Sequence, residues 1–337
     1  MRLMVTGGAG YIGSHVVLDL LQAGHQVVVV DNLSSGHVEA VRRVQELARR
    51  RCELVVADIA DSARLGPALA GVDAVVHLAA FTSVPESMER PDHYFRNNVG
   101  GMAALLHTME AAAVRRIVFA SSAAVYGVQQ ELLVGEDLPL RPENPYGASK
   151  AQGERMLDWM ARCLGWSAVS LRTFNPVGAH PSGRIGQPYA ASTAGLVPRA
   201  LQALSTPGAR LTVCGSDYPT PDGTCLRDYI HISDLARAHR LALAALERPG
   251  HQVFNVGTGR PRSVREVLAT CACTTGQQVP SVDGPRRPGD IAVAVADPRR
   301  IRASLGFSPA LGLEDMVDSA WRWWRDNPGG YQAEAGD

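Results

Sequence analysis

The chain has 337 residues, 46% of them hydrophobic and 20% charged. That is ordinary for a globular enzyme and long enough for two domains, or for one large domain with an appendage. Its 33 basic residues balance 33 acidic ones, so no net field recommends nucleic acid or an anionic membrane as a partner. No run of roughly 18 apolar residues marks a membrane span, and the N-terminus opens on a strand pattern instead of a signal peptide, which predicts a cytoplasmic protein.

Arg2 to Thr6 reads as a short apolar strand, Gly7, Gly8, Gly10 and Gly13 follow at once, and Tyr11 to Gly24 has the apolar recurrence of a helix. Gly8-x-Gly10-x-x-Gly13 fits the dinucleotide fingerprint, in which glycines allow a tight turn, close approach to a pyrophosphate and close packing of helix on strand. A helix start there also aims unpaired N–H groups and the positive end of its dipole at the phosphates, which makes Gly7, Gly10, Tyr11, Ile12 and Gly13 candidate cofactor contacts. The next apolar run, Val27 to Val30, ends in Asp31, close to the roughly 20-residue offset expected of an acid on the adenosine ribose. An acid at that point disfavours a 2′-phosphate, and Asn32-Leu33 supplies no arginine. The predicted cofactor is NAD, not NADP.

Further along, a helical stretch reaches about Arg51, a strand Glu53 to Ala57 ends at Asp58 beside Ile59, and Asp61 opens another helix. Ala74 to Ala80 is a continuous apolar run, as in a parallel strand covered on both faces. Ser87 to Ala113 reads as one long helical region with Met102, Leu105, Leu106 and Met109 on one side. That side could meet a second subunit or the chain's own core. Arg116 to Ala120 is a strand closing on Ser121-Ser122, Pro145 opens a helix to about Leu164, and Ala168 to Thr173 is one more strand. Alternating strands and helices predict an α/β fold, a Rossmann-type doubly wound parallel sheet. From Pro176 the chain is richer in Gly and Pro and reads as a smaller mixed C-terminal lobe. The expected division is 1–175, with returning segments near 228–256, and 176–337. Glu334 to Asp337 are expected to be disordered.

Tyr146 and Lys150 lie four apart on the helix opened by Pro145 and so share a face. Ser122 ends the preceding strand, and fold logic brings it to the same crevice. A tyrosine that exchanges a proton with a substrate hydroxyl, an ammonium that favours the phenolate and a serine that steadies the hydroxyl make up a hydride-transfer site. By count, 32 of the 33 basic residues are Arg, and the single lysine is Lys150. A compact ammonium is not interchangeable with a guanidinium fork. Six cysteines and ten histidines show no zinc-ligand spacing, so no metal is predicted and the thiols are expected to be reduced.

Thr6-Gly7-Gly8-Ala9-Gly10-Tyr11-Ile12-Gly13, Ser121-Ser122-Ala123-Ala124-Val125-Tyr126-Gly127 and Pro145-Tyr146-Gly147-Ala148-Ser149-Lys150 resemble the extended short-chain dehydrogenase/reductase family. Residues 174–183 (FNPVGAHPSG) and Arg227-Asp228-Tyr229-Ile230-His231 narrow the resemblance to its UDP-glucose 4-epimerase branch, over nearly the whole chain. The resemblance implies an isomerase of carbohydrate metabolism that interconverts UDP-galactose and UDP-glucose. Tyr146, helped by Ser122, would take the sugar's 4-hydroxyl proton. A transient 4-ketose would turn about its link to the nucleotide, and hydride would return to its other face. It also implies that Asp31, Asn32, Asp58, Ile59, Asn98, Tyr146 and Lys150 grip NAD. Ser122 and Asn175 would contact the substrate, Arg227 and Arg287 would neutralise its pyrophosphate, and Asp290 would hold the uridine ribose. A homodimer is implied as well.

The chain departs from that pattern at several points. Thr82 stands where a lysine is frequent, Thr173 where a tyrosine precedes Phe174, and Ala194-Gly195 where an Asn-Asn pair helps hold UDP. Ala294 replaces a Tyr or Cys that limits the sugar pocket, which suggests room for an N-acetyl group and a second substrate pair, UDP-GalNAc and UDP-GlcNAc. A 4,6-dehydratase would need an acid pair after the serine, and Ala123-Ala124 cannot supply a proton. A UDP-glucuronate 4-epimerase, or a nucleotide-sugar reductase or dehydrogenase, could use the same trio, whereas a non-enzymatic NAD-binding regulator would need neither Tyr146 nor Lys150.

Overall fold

The computed structural model describes residues 1–129, 131–188, 195–287 and 290–331; Ala194 and the tail from 332, including Glu334 to Asp337, lie outside them. The strands are β1 (Arg2–Thr6), β2 (Gln26–Asp31), β3 (Glu53–Val56), β4 (Ala74–His77), β5 (Arg116–Ser122), β6 (Ser167–Thr173), β7 (Asn175–Val177), β8 (Leu211–Cys214), β9 (Leu226–His231), β10 (Gly250–Val256), β11 (Pro261–Ser263), β12 (Ser281–Gly284) and β13 (Val293–Ala294). Seven of them form one sheet in the order β10-β6-β5-β4-β1-β2-β3, every pair parallel. This is the predicted doubly wound Rossmann-type sheet.

Its strands are covered on both faces, and the period-2 alternation sorts their side chains into two cores. Leu3, Val5, Val27 and Val29 enter one cluster; Met4, Val28, Val30 and Val75 enter the other. Strand order reverses between β1 and β4, and a crevice for ligands opens at such a point, beyond the strand ends.

Three details differ from the sequence expectations. β4 stops at His77, and Leu78 still donates its backbone N–H to the Thr6 carbonyl oxygen (3.1 Å). There the chain passes beneath the glycine turn so closely that a Cβ on Gly7 would lie 2.7 Å from the Ala79 nitrogen. The region read as one helix from Ser87 to Ala113 is broken. A helix Val84–Glu89 ends before Pro91, which starts the turn Pro91–Tyr94; a proline inside a helix would lack its N–H and clash with the preceding turn. A π-helical segment Phe95–Gly100 and an α-helix Gly101–Ala111 complete the run. Met102, Leu105, Leu106 and Met109 are all buried in this chain's own core, so that face is not free for a partner.

The third difference concerns the returning segments. The helix Ile232–Ala242 packs on the helix Tyr11–Gln22, and β10 joins the edge of the large sheet beside β6. β9 instead belongs to a small separate sheet with β7, β11 and β13. Asp228 explains why. Its fully buried carboxylate accepts from the Thr258 nitrogen (2.8 Å) and hydroxyl (2.6 Å), the Gly259 nitrogen (2.8 Å) and the Ala296 nitrogen (3.1 Å). A charge in mid-strand is tolerated where every lone pair has a donor.

The helix Pro145–Leu164 is pinned to the sheet by a buried ion pair. Arg172 of β6 donates to Glu154 through Nη2 (2.7 Å) and Nε (2.9 Å), both side chains being 5% exposed. Ser121, opposite Arg172 in the β5–β6 register, donates to the same carboxylate (2.5 Å). Arg172 also reaches the Tyr126 hydroxyl (2.8 Å), which donates to Asn255 of β10 (2.7 Å). Removing one partner of such a pair typically costs about 3–5 kcal/mol, because the other charge is left buried and unpaired.

Candidate active site

One cleft of about 1370 Å³ runs along the C-terminal ends of the large sheet. The glycine turn lies at one end, Ser122, Tyr146 and Lys150 line its middle, and Arg227, Arg287 and Asp290 line its other end. The sequence-predicted trio and the two predicted binding ends therefore share one continuous space.

The glycine end is built so that backbone, not side chain, faces the cleft. Gly7 has φ +70°, a conformation glycine adopts without strain. A Cβ on Gly13 would lie 2.0 Å from the Gly7 carbonyl oxygen, so only glycine lets the helix start seat on the turn. Gly10 is the N-cap, and neither a capping side chain nor a first-turn acid competes for the free N–H groups of Tyr11–Gln22. Tyr11 lines the cleft and its hydroxyl donates to the Gly178 carbonyl (2.6 Å).

Asp31 ends β2 in a nearly dry position. It accepts from the Ala9 nitrogen (3.0 Å) and the Leu33 nitrogen (2.8 Å), while burial pushes its carboxyl up against the pull of those donors. Asn32 donates to Asp58 (2.9 Å), and Ile59 lines the wall beside it. Asn98 is engaged otherwise. Its amide donates to the Phe81 carbonyl (3.0 Å) and the Ser149 hydroxyl (3.0 Å), and its oxygen accepts from the Phe81 nitrogen (2.9 Å); the neighbouring Asn97 lines the cleft. An uncapped helix start, a glycine-rich turn and a buried acid at a strand end fit the pyrophosphate and ribose of NAD.

At the centre, Asn144 caps the helix Pro145–Leu164 by accepting from the Gly147 nitrogen (2.8 Å), which sets Tyr146 and Lys150 in its first two turns. Lys150 is 4% exposed and donates to the Ala120 carbonyl of β5 (2.8 Å). Its Nζ lies 4.9 Å from the Phe119 ring centre and 6.0 Å from that of Tyr146. Burial pulls the amine down to about 7, with Glu154 opposing that shift. Burial likewise raises the Tyr146 phenol, and a hydrogen bond with Ser122 opposes the rise. Protein environment alone thus drives both groups toward their neutral forms. His77 lies close enough to Lys150 to feel its charge; it is pushed down to about 3, chiefly by burial, and stays neutral.

At the far end Arg227 pairs with Asp290 and also donates to the Leu226 (2.9 Å) and Ile291 (2.8 Å) carbonyls. The two residues given separate roles at the sequence level therefore hold each other. Arg287 donates from Nε to the Cys214 sulfur (3.2 Å), and Asn175 donates to the Asp228 carbonyl (2.7 Å). Thr82, Thr173 and Gly195 line the cleft. Ala294 is registered opposite Arg227 across β13 and β9, beside the arginine that lines the far end of the cleft.

Sequence reasoning missed Glu154, Arg172 and Asp228 as supports, and Cys214 as the neighbour of Arg287. Only Glu154 left a signal, since it follows Lys150 by four residues on one helix face. All six cysteines are free thiols. Among the described residues, no cluster of His, Cys, Asp or Glu is placed to hold a metal, and no helix is long and apolar enough to cross a membrane.

Comparison with known proteins agrees with this geometry. The UDP-glucose 4-epimerase of Bacillus subtilis is 42% identical over 337 residues, 99% of each chain. A crystal structure of UDP-glucose-4-epimerase from Stenotrophomonas maltophila, with bound NAD and formylated UDP-arabinopyranose, superposes with a TM-score of 0.95 at 40% identity, covering 97% of this chain and 99% of that one. The Bifidobacterium longum UDP-glucose 4-epimerase, in complex with NAD+ and UDP, gives 0.93 at 37% identity, covering 98% and 100%. The model of the NAD dependent epimerase/dehydratase family matches residues 3–257, and the chain belongs to that family.

Proposed function

We propose that this protein is an isomerase that epimerises C4 of a UDP-hexose, interconverting UDP-galactose and UDP-glucose with NAD as a resident cofactor. The observation that carries this reading is one continuous cleft with Tyr146, Ser122 and the only lysine at its middle, between a dinucleotide-type glycine turn and a pair of arginines. The proposed division of labour gives the cofactor to 1–175 with the returning helix Ile232–Ala242 and β10, and the nucleotide sugar to most of 176–337.

Gly7, Gly10, Tyr11, Ile12, Gly13, Asp31, Asn32, Asp58 and Ile59 hold NAD, with Asn98 fixing the Phe81 backbone at the wall. When bound, NAD would supply a reversible hydride sink and, in its oxidised form, a positive charge in the cleft. Tyr146 takes the proton of the sugar 4-hydroxyl as that hydroxyl becomes a carbonyl, and returns it after the sugar has turned. Ser122 shares the hydrogen bond that keeps phenol and hydroxyl aligned. Lys150 holds a cofactor ribose hydroxyl and favours the phenolate whenever it is protonated. Because burial has raised the phenol and lowered the amine, added positive charge in the cleft is what tips Tyr146 into its base form. Arg227 and Arg287 bind the pyrophosphate, Asp290 the uridine ribose, and Asn175 contacts the substrate near its phosphates. The nucleotide is the fixed handle and the sugar the moving part, so net redox change is zero.

Purified protein given UDP-galactose and no added NAD should form UDP-glucose with no free NADH appearing. Tyr146→Phe should lower kcat at least about 100-fold, the scale of a lost general base, with an unchanged circular-dichroism spectrum. Full-speed turnover by that variant would sink the assignment.

Ala294 carries a finer reading, that the sugar pocket also accepts an N-acetyl group at C2. Ala294→Tyr should cut kcat/KM for UDP-GalNAc by about tenfold or more relative to UDP-galactose, a steric effect of a few methylenes' worth. An unchanged ratio would reject it.

The protein is further proposed to work as a cytoplasmic homodimer. The helices Val84–Glu89 and Pro145–Leu164 pack together and carry Met88 and Trp159, 62% and 57% exposed, apolar surface of the kind that a second copy covers. Sedimentation at micromolar concentration should give twice the 36.0 kDa chain mass. A species of single-chain mass would refute the dimer.

A further inference from the structure

The chain's last described residues, Pro328 to Tyr331, line the same cleft as the glycine turn and Asp31. They form no regular element, yet they are fastened at both ends. At one end Asn327 donates to the Gly183 and Trp323 carbonyls (3.0 Å each) and accepts from Arg43 Nη1 (2.7 Å). At the other, the Tyr331 hydroxyl donates to the Gly186 carbonyl and accepts from the Gly186 nitrogen, both at 3.0 Å. Its ring lies 4.8 Å from Trp323 and 5.2 Å from His37, with the Arg43 guanidinium 5.5 Å from its centre. Between the anchors Gly330, at φ +69°, closes a turn on the Asn327 carbonyl (2.9 Å).

The wall completed by this strap is the one that carries the ribose acid. His37, whose ring meets that of Tyr331 at a tilt of 34°, donates its backbone N–H to the Ala9 carbonyl in the glycine turn (3.0 Å). Gly36 presses against Asp31 so closely that a Cβ would sit 2.8 Å from the carboxylate. Tyr331, His37, Gly36 and Asp31 thus form one layered side of the cleft. Tyr331 is 8% exposed, and its hydroxyl uses both a donor and an acceptor function on one loop residue, Gly186, which is the chemistry of a latch. Its release breaks the two hydrogen bonds to Gly186 and the ring's contacts with Trp323, His37 and Arg43, and the Gly329-Gly330 pair supplies the freedom to swing.

We propose that Pro328–Tyr331 is a retention strap that closes the adenosine end of the cleft over bound NAD and sets its rate of dissociation. This rests on the cofactor reading given above and adds to it a residue set far from Tyr146 and Lys150. Retention matters for the chemistry: a cofactor that left between hydride loss and return would strand the keto sugar.

The test is exchange of bound NAD for the fluorescent 1,N6-etheno-NAD in the holoenzyme. Tyr331→Ala should speed exchange by at least about tenfold, and Tyr331→Phe by less, since changes at a binding site act mainly on dissociation. An exchange rate equal to wild type in a folded Tyr331→Ala protein would overturn the strap. Should that variant fail to fold, hydrogen exchange on the wild type decides. Coupling is reciprocal, so NAD must slow exchange at the Gly186 and Gly330 amides, and unchanged protection there overturns the proposal. Normal NAD binding with unaltered exchange defeats the strap alone; no NAD binding by the wild type defeats the cofactor reading along with it.

Discussion

The site depends on the burial of one amine. Lys150 gives a hydrogen bond to the Ala120 carbonyl, faces two aromatic rings and is drawn down to about 7 by the loss of water. An amine so placed is sensitive to any charge brought near it, because the low-dielectric surroundings strengthen every Coulombic term. Glu154, one turn further along the same helix, is the protein's own counterweight, and Arg172 and Ser121 hold that carboxylate in place. The scaffold thereby ties the protonation of its central pair to strand ends that are rigid, and leaves the remaining bias to what enters the cleft.

The two ends of the cleft solve different binding problems. At the glycine turn, recognition is by backbone and by the absence of side chains: a methyl on Gly13 would collide with the Gly7 carbonyl. At the arginine end, the proposed recognition is by charge. Arg227 and Asp290 hold each other in the protein alone, which prevents an unpaired guanidinium from lying half-buried before a phosphate arrives. A rigid cofactor end and a charge-based nucleotide end leave the middle of the cleft as the place where a sugar can turn.

Much of this was legible from residue order. β1, the glycine turn, β2 with its terminal acid, and the helix of Tyr146 and Lys150 all follow from local rules of turn, period and capping, and the structure has them within a residue or two. Parallel order followed from strand–helix alternation. The break at Pro91 was also readable, but the apolar stripe of Met102 to Met109 outweighed it. Other features could not be read. β9 carries a strand pattern that fits either sheet, and what removes it to the small one is Asp228, whose four donors come from 258, 259 and 296. The Arg227–Asp290 pair, the Arg287–Cys214 contact and the latch of Tyr331 on Gly186 join residues 63, 73 and 145 apart in the chain. No local period encodes contacts of that kind.

The central claim is that hydride leaves C4 and returns to the same carbon without escaping the cleft. Its most direct measurement uses UDP-galactose carrying deuterium at C4, incubated with the holoenzyme and unlabelled free NADH. The account predicts UDP-glucose that keeps its deuterium at C4, with none in the free NADH pool or in water. Product that has lost the label, or label found in the free pool at a rate matching turnover, would contradict it.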